Sequence, residues 1–227
     1  MAELKSKFLG KLKGTLGDMT GRIRNGRGYL ASKPASFNAA QDSASLKRRA
    51  KFKLAVKFSY AALKNPGIKS IWKKNSSGNN TPFSNLMREN YKFILETSLN
   101  SFNIITPREG FNAVFTNVTL NNSLLSAELG ALNGITDFNI LEEVSLKIAA
   151  VVFLSEPNNP GFSEYDFISL ESNPVSLQLD NPEIFSLPIV NFNSSLVDIY
   201  QNKKIFLAAF TLDSEGIPVH FSSTFVQ

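Results

Sequence analysis

Residues 45–64 read SLKRRAKFKLAVKFSYAALK, and the organisation of the N-terminal third of the chain turns on them. The stretch carries seven basic side chains, Lys47, Arg48, Arg49, Lys51, Lys53, Lys57 and Lys64, and no acid. Its apolar residues recur at helical spacing. At about 100° per residue, Phe52, Val56, Ser59 and Leu63 form one stripe and Leu54, Phe58, Ala61 and Ala62 a second, with Lys53, Lys57 and Lys64 in the gap between. A long basic helix is predicted, buried from Phe52 onward except along its lysines. Before Phe52, the side chains of Lys47, Arg48, Arg49 and Lys51 point all round the axis. Unpaired charge is costly to bury, so this end is expected to project into solvent or onto an anionic partner. Positive charge opposes the helix dipole there, and Asp42, Ser43 or Ser45 can offset part of that cost as a cap. Asn65-Pro66-Gly67 ends the helix. The basic run has two readings, a solvated face and an anion-binding arm.

Working outward, residues 15–32 contain Asn25-Gly26, the pair favoured in two-residue hairpin turns because both tolerate positive φ, and a short basic hairpin is placed there. Residues 1–14 are expected to be a loose arm or short helix, and Lys33-Pro34 to Gln41 a polar linker. After the Asn65 break, Ile68, Ile71 and Trp72 mark a short helix ending in Lys73-Lys74, followed by a flexible loop over 75–80. Thr81-Pro82 starts a third helix with one mostly apolar face of Phe83, Leu86, Met87, Asn90, Tyr91 and Ile94. Beyond about residue 98 the pattern turns to strands: Phe111–Thr119, Val144–Leu154, Asp166–Leu170, Ser176–Leu179, Lys204–Leu212 and Ile217–Val226, with a hairpin loop at Asp213-Ser-Glu-Gly216. The expected fold is α+β. A small basic N-terminal module of hairpin and helices (1–97) precedes an acidic antiparallel sandwich of the immunoglobulin or fibronectin kind (98–227).

The length of 227 residues allows one large or two modest domains with a real core, in which 19 phenylalanines are available. The absence of cysteine excludes disulfides and thiolate metal sites. The net charge of +5 conceals a partition. Residues 1–90 hold 19 Lys and Arg against 4 Asp and Glu, a net of +15, and residues 91–227 hold 5 against 15, a net of −10. Such a split fits a basic module that meets polyanions, or opposite faces that attract within or between subunits. The basic start contains no uninterrupted apolar run, and no segment reads as a membrane span. The expected location is the cytoplasm or an assembled particle.

Catalytic equipment is sparse. His220 is the lone histidine, and strand alternation sets it with Ser222 opposite Val219 and Phe221, so it is expected to face solvent. Without a second histidine, a histidine metal site or a Ser-His-Asp triad has little to stand on. Glu142-Glu143 and Glu164-Tyr165-Asp166 are the nearest acidic clusters, and both read as acidic surface. Gly10, Gly14 and Gly17 match neither a phosphate-binding loop nor a dinucleotide fingerprint, and no cofactor is expected.

The ordered motifs Gly14 and Gly17, Arg22 to Tyr29, Lys33-Pro34, Arg49-Ala-Lys-Phe52 with Ala55-Val-Lys-Phe58, and Thr81-Pro-Phe-Ser-Asn85 resemble an uncharacterised protein family abundant in Bacteroidota. The resemblance covers nearly the whole chain and is specific in the first 90 residues. It departs from the family where Ala31-Ser32 stands in place of Arg-Ser before Lys33. It implies a two-part architecture and carries no activity. The expected function is therefore non-enzymatic interaction or assembly, with a homo-oligomer or larger protein assembly, such as a virion or surface component, as partner. Sequence-nonspecific nucleic-acid binding is the alternative. The candidate contact residues are Arg22, Arg24, Arg27, Lys47, Arg48, Arg49 and Lys51, and a carboxylate-based glycan hydrolase is a third, lesser reading.

Overall fold

The computed structural model describes residues 2–3, 14–24, 27–32, 39–76, 78, 80–136, 138–190 and 192–227. The chain combines helices with antiparallel sheets and divides into two compact units, 1–45 and 46–227.

In the first unit, β1 (Ala2–Glu3), β2 (Gly14–Leu16), β3 (Met19–Arg24) and β4 (Arg27–Ser32) form a sheet in the order β1-β4-β3-β2. The strands of the expected hairpin are present, with Arg24 opposite Arg27. Asn25 and Gly26 themselves lie outside the described residues, as do residues 4–13 of the arm, 33–38 of the linker and 77 and 79 of the later loop. Gly17, at φ 55, makes the tight turn that lets Leu16 face Met19. A left-handed turn position, rather than general flexibility, is the role of that glycine.

The second unit has three layers. Its middle layer is a six-stranded sheet built on β7 (Ser145–Pro157) and β11 (Tyr200–Leu212), which pair along their whole length; β8 (Tyr165–Glu171), β9 (Val175–Ser176), β12 (Pro218–Phe221) and β13 (Phe225–Val226) flank them. Beneath it lies a three-stranded sheet of β5 (Phe115–Leu120), β6 (Leu124–Leu129) and β10 (Glu183–Pro188), in the order β10-β6-β5, with the short α4 (Phe192–Ile199) beside the same core. Above it lie α1 (Ser43–Leu63), α2 (Pro66–Lys74) and α3 (Pro82–Tyr91).

The two central strands explain the layering. In β7, Ile148, Ala150, Val152 and Leu154 enter the core shared with the three-stranded sheet, and Ala149, Val151 and Phe153 enter the core under the helices. In β11, Ile205, Leu207 and Ala209 point one way and Phe206, Ala208 and Phe210 the other. Such near-continuous apolar runs fit a strand covered on both faces. The helices supply the second cover through Leu54, Phe58, Ile68, Ile71, Trp72 and Leu86, all buried, each contributing about 1.5–3 kcal/mol on full burial. Phe58 lies against Phe206, with ring centroids 5.2 Å apart. The division therefore falls at 45/46 and not at the expected 97/98, because helices 46–91 share their core with the large sheet.

Local signals set the helix ends. The Asp42 carboxylate accepts the Ser45 N–H at 2.9 Å, and hydrogen bonding by Ser45, from its side chain and then its backbone, holds the Asp42 carboxyl below its ordinary range. Asn65 both ends α1 and opens α2. Its Oδ1 accepts the Ile68 N–H at 3.1 Å while its Nδ2 donates to the Leu170 carbonyl on β8, also at 3.1 Å. Thr81 and Ser84 form a reciprocal capping box on α3.

Two further expectations are corrected. Phe52 is 54% exposed, because the buried face of α1 is Leu54, Ala55, Phe58, Ser59 and Ala62, which leaves Phe52 and Tyr60 on the outer side. The strands β6 and β10 were not expected. They follow Asn-Ser and Asp-Asn turn residues, are only six residues long, and β10 ends in a proline.

Candidate functional site

The seven candidate basic residues fall into two groups, one in each unit. In the first, β3 carries Arg22 and Arg24 and β4 carries Arg27; the register pairs Arg24 with Arg27 and Arg22 with Tyr29. Alternation then sets positions 22, 24, 27 and 29 on one face of the sheet, with Arg22 and Arg27 exposed. The opposite face carries Met19, Gly21, Ile23 and Leu30.

In the second unit, the first turns of α1 carry Lys47, Arg48, Arg49 and Lys51. Lys47 is exposed but meets an acid of its own unit. Its Nζ lies 2.8 Å from Glu96 Oε1, and the hydrogen bond and charge of that carboxylate raise the Lys47 pKa. The Nζ of Lys51 sits 4.8 Å above the centre of the Tyr91 ring. Arg48 and Arg49 are exposed. Two of the four leading cations of the helix thus meet groups of their own unit.

What the helix presents is a mixed stripe that the sequence reading missed. On the outer side of α1, Arg49, Lys53 and Lys64 alternate with Phe52, Val56 and Tyr60, and Tyr60 is 65% exposed. Tyr60 stacks on Phe83 at the start of α3, with ring centroids 4.9 Å apart. Between them and the start of α2 opens a groove of about 460 Å³, walled by Leu63, Pro82 and Phe83 and flanked by Lys64 and Lys69. A signal existed in the sequence: Lys53, Tyr60 and Lys64 fall within a narrow arc of the wheel.

The charge partition takes a sharper form in the second unit. Residues 46–90 hold 11 Lys and Arg against the single acid Glu89, a net of +10, and residues 91–227 bring −10. This unit is neutral as a whole and polarised between its helix layer and the rest.

The acidic clusters part company. Glu143 is buried, and its carboxylate accepts the Asn139 N–H at 2.7 Å, the Thr211 hydroxyl, and His220 Nδ1 at 3.0 Å. Glu143 is therefore not acidic surface, and His220 is not a bare solvent-facing residue. The contact engages the Nδ1 side of the His220 ring with the Glu143 carboxylate. Ser222, on the same side of β12 and its extension, is fully buried and accepts the Ala209 N–H at 2.9 Å. On that side Phe138 lies edge-on to the His220 ring, with centroids 5.8 Å apart, so the face is partly covered. Sequence alternation could pick the side but not which side the core lay on. Glu164 and Glu156, both exposed, line a separate depression of about 450 Å³ with Thr97, Ser98 and Phe162. Tyr165 beside it is buried, and desolvation, then the Glu164 charge, raises its phenol pKa. Lys57 Nζ lies 4.9 Å above the Tyr165 ring. Among the described residues no group of three His, Asp or Glu could hold a metal ion, and no helix is long and apolar enough to cross a membrane.

No family model matches the sequence, and no curated protein matches it. Among solved structures the chain is similar to MtrC from Shewanella baltica OS185, with 12% identity and a TM-score of 0.29. The likeness covers 51% of this chain and 21% of that one, about a fifth of that protein's length. Similarity of that size does not define a shared fold.

Proposed function

We propose that the protein is a non-enzymatic interaction and assembly protein. Its basic surfaces dock on a neighbouring copy, and its two-sheet core, in the finer reading an immunoglobulin- or fibronectin-like sandwich, is presented outward as part of a virion or surface assembly. The observation that carries this reading is the polarised second unit, a +10 helix layer on an otherwise −10 body, with Phe52 and Tyr60 exposed among the cations of the outer α1 face. Isolated surface ion pairs contribute about 0–1 kcal/mol, so charge alone holds little. Charge that steers and orients, combined with large apolar side chains that become buried, is the composition of a working interface. A neutral but polarised body favours head-to-tail contact over like-to-like contact.

A second reading, sequence-nonspecific nucleic-acid binding, draws on the same stripe, since Phe52 and Tyr60 could stack on bases while Arg49, Lys53 and Lys64 meet phosphates. In that reading Arg22, Arg24 and Arg27 add phosphate contacts. The two are separated by replacing Arg48, Arg49 and Lys53 with glutamate. Under the assembly reading, self-association at low salt falls while a short DNA duplex is ignored by both forms. Under the nucleic-acid reading, the wild type binds the duplex with a steep salt dependence that the variant loses.

A further inference from the structure

The turn between β6 and β7 holds out an apolar tip. Leu141 is 89% exposed and Ile140 67%, and exposed Glu142 follows them. This tip is held by hydrogen bonds within the turn. The Asn139 carbonyl accepts the N–H groups of Glu142 at 2.9 Å and Glu143 at 2.8 Å, and its Oδ1 accepts the Leu141 N–H at 3.2 Å. Beneath the turn, buried Glu143 ties the Asn139 N–H to Thr211 and His220 on the central sheet. A buried carboxylate with three donors is a costly anchor for a turn whose outermost side chains, Ile140 and Leu141, are left largely to solvent. A rigid, presented leucine with an adjacent acid has the form of a binding anchor, because its ordering cost is met before contact.

The groove beside Tyr60 has the complementary form. Leu63, Pro82 and Phe83 wall it, its volume of about 460 Å³ accommodates two aliphatic side chains, and Lys64 and Lys69 flank it. The pairing of shape and sign is specific: an aliphatic pair followed by a carboxylate, against an apolar floor bordered by two ammonium groups.

We propose that the Ile140-Leu141-Glu142 tip of one copy inserts into the Tyr60–Phe83 groove of the next, with Leu141 on the apolar floor and Glu142 against Lys64 and Lys69. This inference rests on the assembly reading and names its contact. Tip and groove are different surfaces, so the contact is heterologous and each docked copy leaves one tip and one groove open. It propagates into a ring or a filament.

The test uses the full chain in sedimentation equilibrium at low salt, with Leu141→Asp as the tip variant and Lys64→Glu with Lys69→Glu as the groove variant. All three positions are solvent-facing, and unchanged thermal unfolding establishes that each variant is folded. Each variant alone is expected to self-associate at least tenfold more weakly than the wild type. An equimolar mixture of the two is expected to form a 1:1 heterodimer and stop there, because only one intact tip and one intact groove meet. A charge exchange, Glu142→Lys in the groove variant, is expected to restore self-association. If the wild type assembles and Leu141→Asp assembles equally well, or if the mixture forms no heterodimer, this contact is wrong while the assembly reading stands. A wild type that stays monomeric at high concentration in low salt overturns both.

Discussion

Gly67 is the second residue of α2, and a Cβ placed on it lies 2.6 Å from Phe210 Cε2 and closer still to Cζ. The ring belongs to β11 and is fully buried in the core under the helices, with Phe206, Ala208 and Leu212 in the same cluster. Gly67→Ala is therefore expected to destabilise, against the usual sign. In an ordinary helix the change gains up to about 1 kcal/mol from backbone propensity. Overpacking a dense core costs about 1–3 kcal/mol, since the ring has to leave its rotamer or the helix has to lift. A clash this deep with a buried ring belongs at the upper end of that range, about 2–3 kcal/mol, so the net expectation is a loss of about 1–2 kcal/mol. Urea unfolding followed by circular dichroism reads it, and with a slope of about 2 kcal/mol per molar the midpoint falls by roughly 0.5–1 M. Phe210→Leu removes the planar ring, so the alanine is expected to cost much less in that background than in the wild type, a non-additivity that isolates the contact. A Gly67→Ala protein as stable as the wild type, or more so, refutes the seating of the helix layer on the central sheet.

Other expectations follow from single sites. Thr81→Ala removes one half of the capping box on α3 and is expected to cost about 1 kcal/mol in the same urea assay; Thr81→Ser is expected to cost far less. Glu143→Ala strips three donors of their shared acceptor and is expected to destabilise by about 1–3 kcal/mol, with amide exchange rising first across 138–144 and an altered His220 ring signal by NMR. Burial, then a neighbouring carboxylate, raises the phenol pKa values of Tyr165 and Tyr200 above the ordinary 10.0. A raised folded-state pKa contributes stability that is present below the unfolded value and is lost as pH rises through the folded one. These two phenols are expected to ionise above the ordinary value in an alkaline absorbance titration, and variants Tyr165→Phe and Tyr200→Phe that leave the late part of that titration unchanged would contradict their burial.

The helices were legible because their signals are local. Asn65-Pro66-Gly67 and Thr81-Pro82 place α2 and α3 to within a residue or two, through caps that act over three positions. The central strands were legible as strands, but their setting was read too simply. IAAVVFL in β7 and IFLAAF in β11 are apolar at successive positions, which points to cover on both faces, and the two-part expectation left one of those faces without its helices. That omission moved the division from 45/46 to 97/98. It also left Phe52 assigned to a core, since a wheel with two apolar stripes does not say which one meets the sheet. Of the candidate site, the basic residues of α1 were legible as charges and their partners were not. Glu96 lies 49 residues beyond Lys47, and Tyr91 lies 40 beyond Lys51. Glu143 and His220, 77 positions apart, meet only because β12 returns onto β11 beside the turn that carries Glu143.

The most direct test of the assembly account is light scattering coupled to size exclusion, on the full chain at low and high salt, with and without a short DNA duplex. The account expects a mass above one chain at low salt that falls toward one chain as salt screens the opposed charges, over a range in which the screening length is about 10 Å at 0.1 M. The duplex is expected to leave that mass unchanged. A monomer in both salts that shifts only when DNA is added would contradict the account and transfer the basic stripe to nucleic acid.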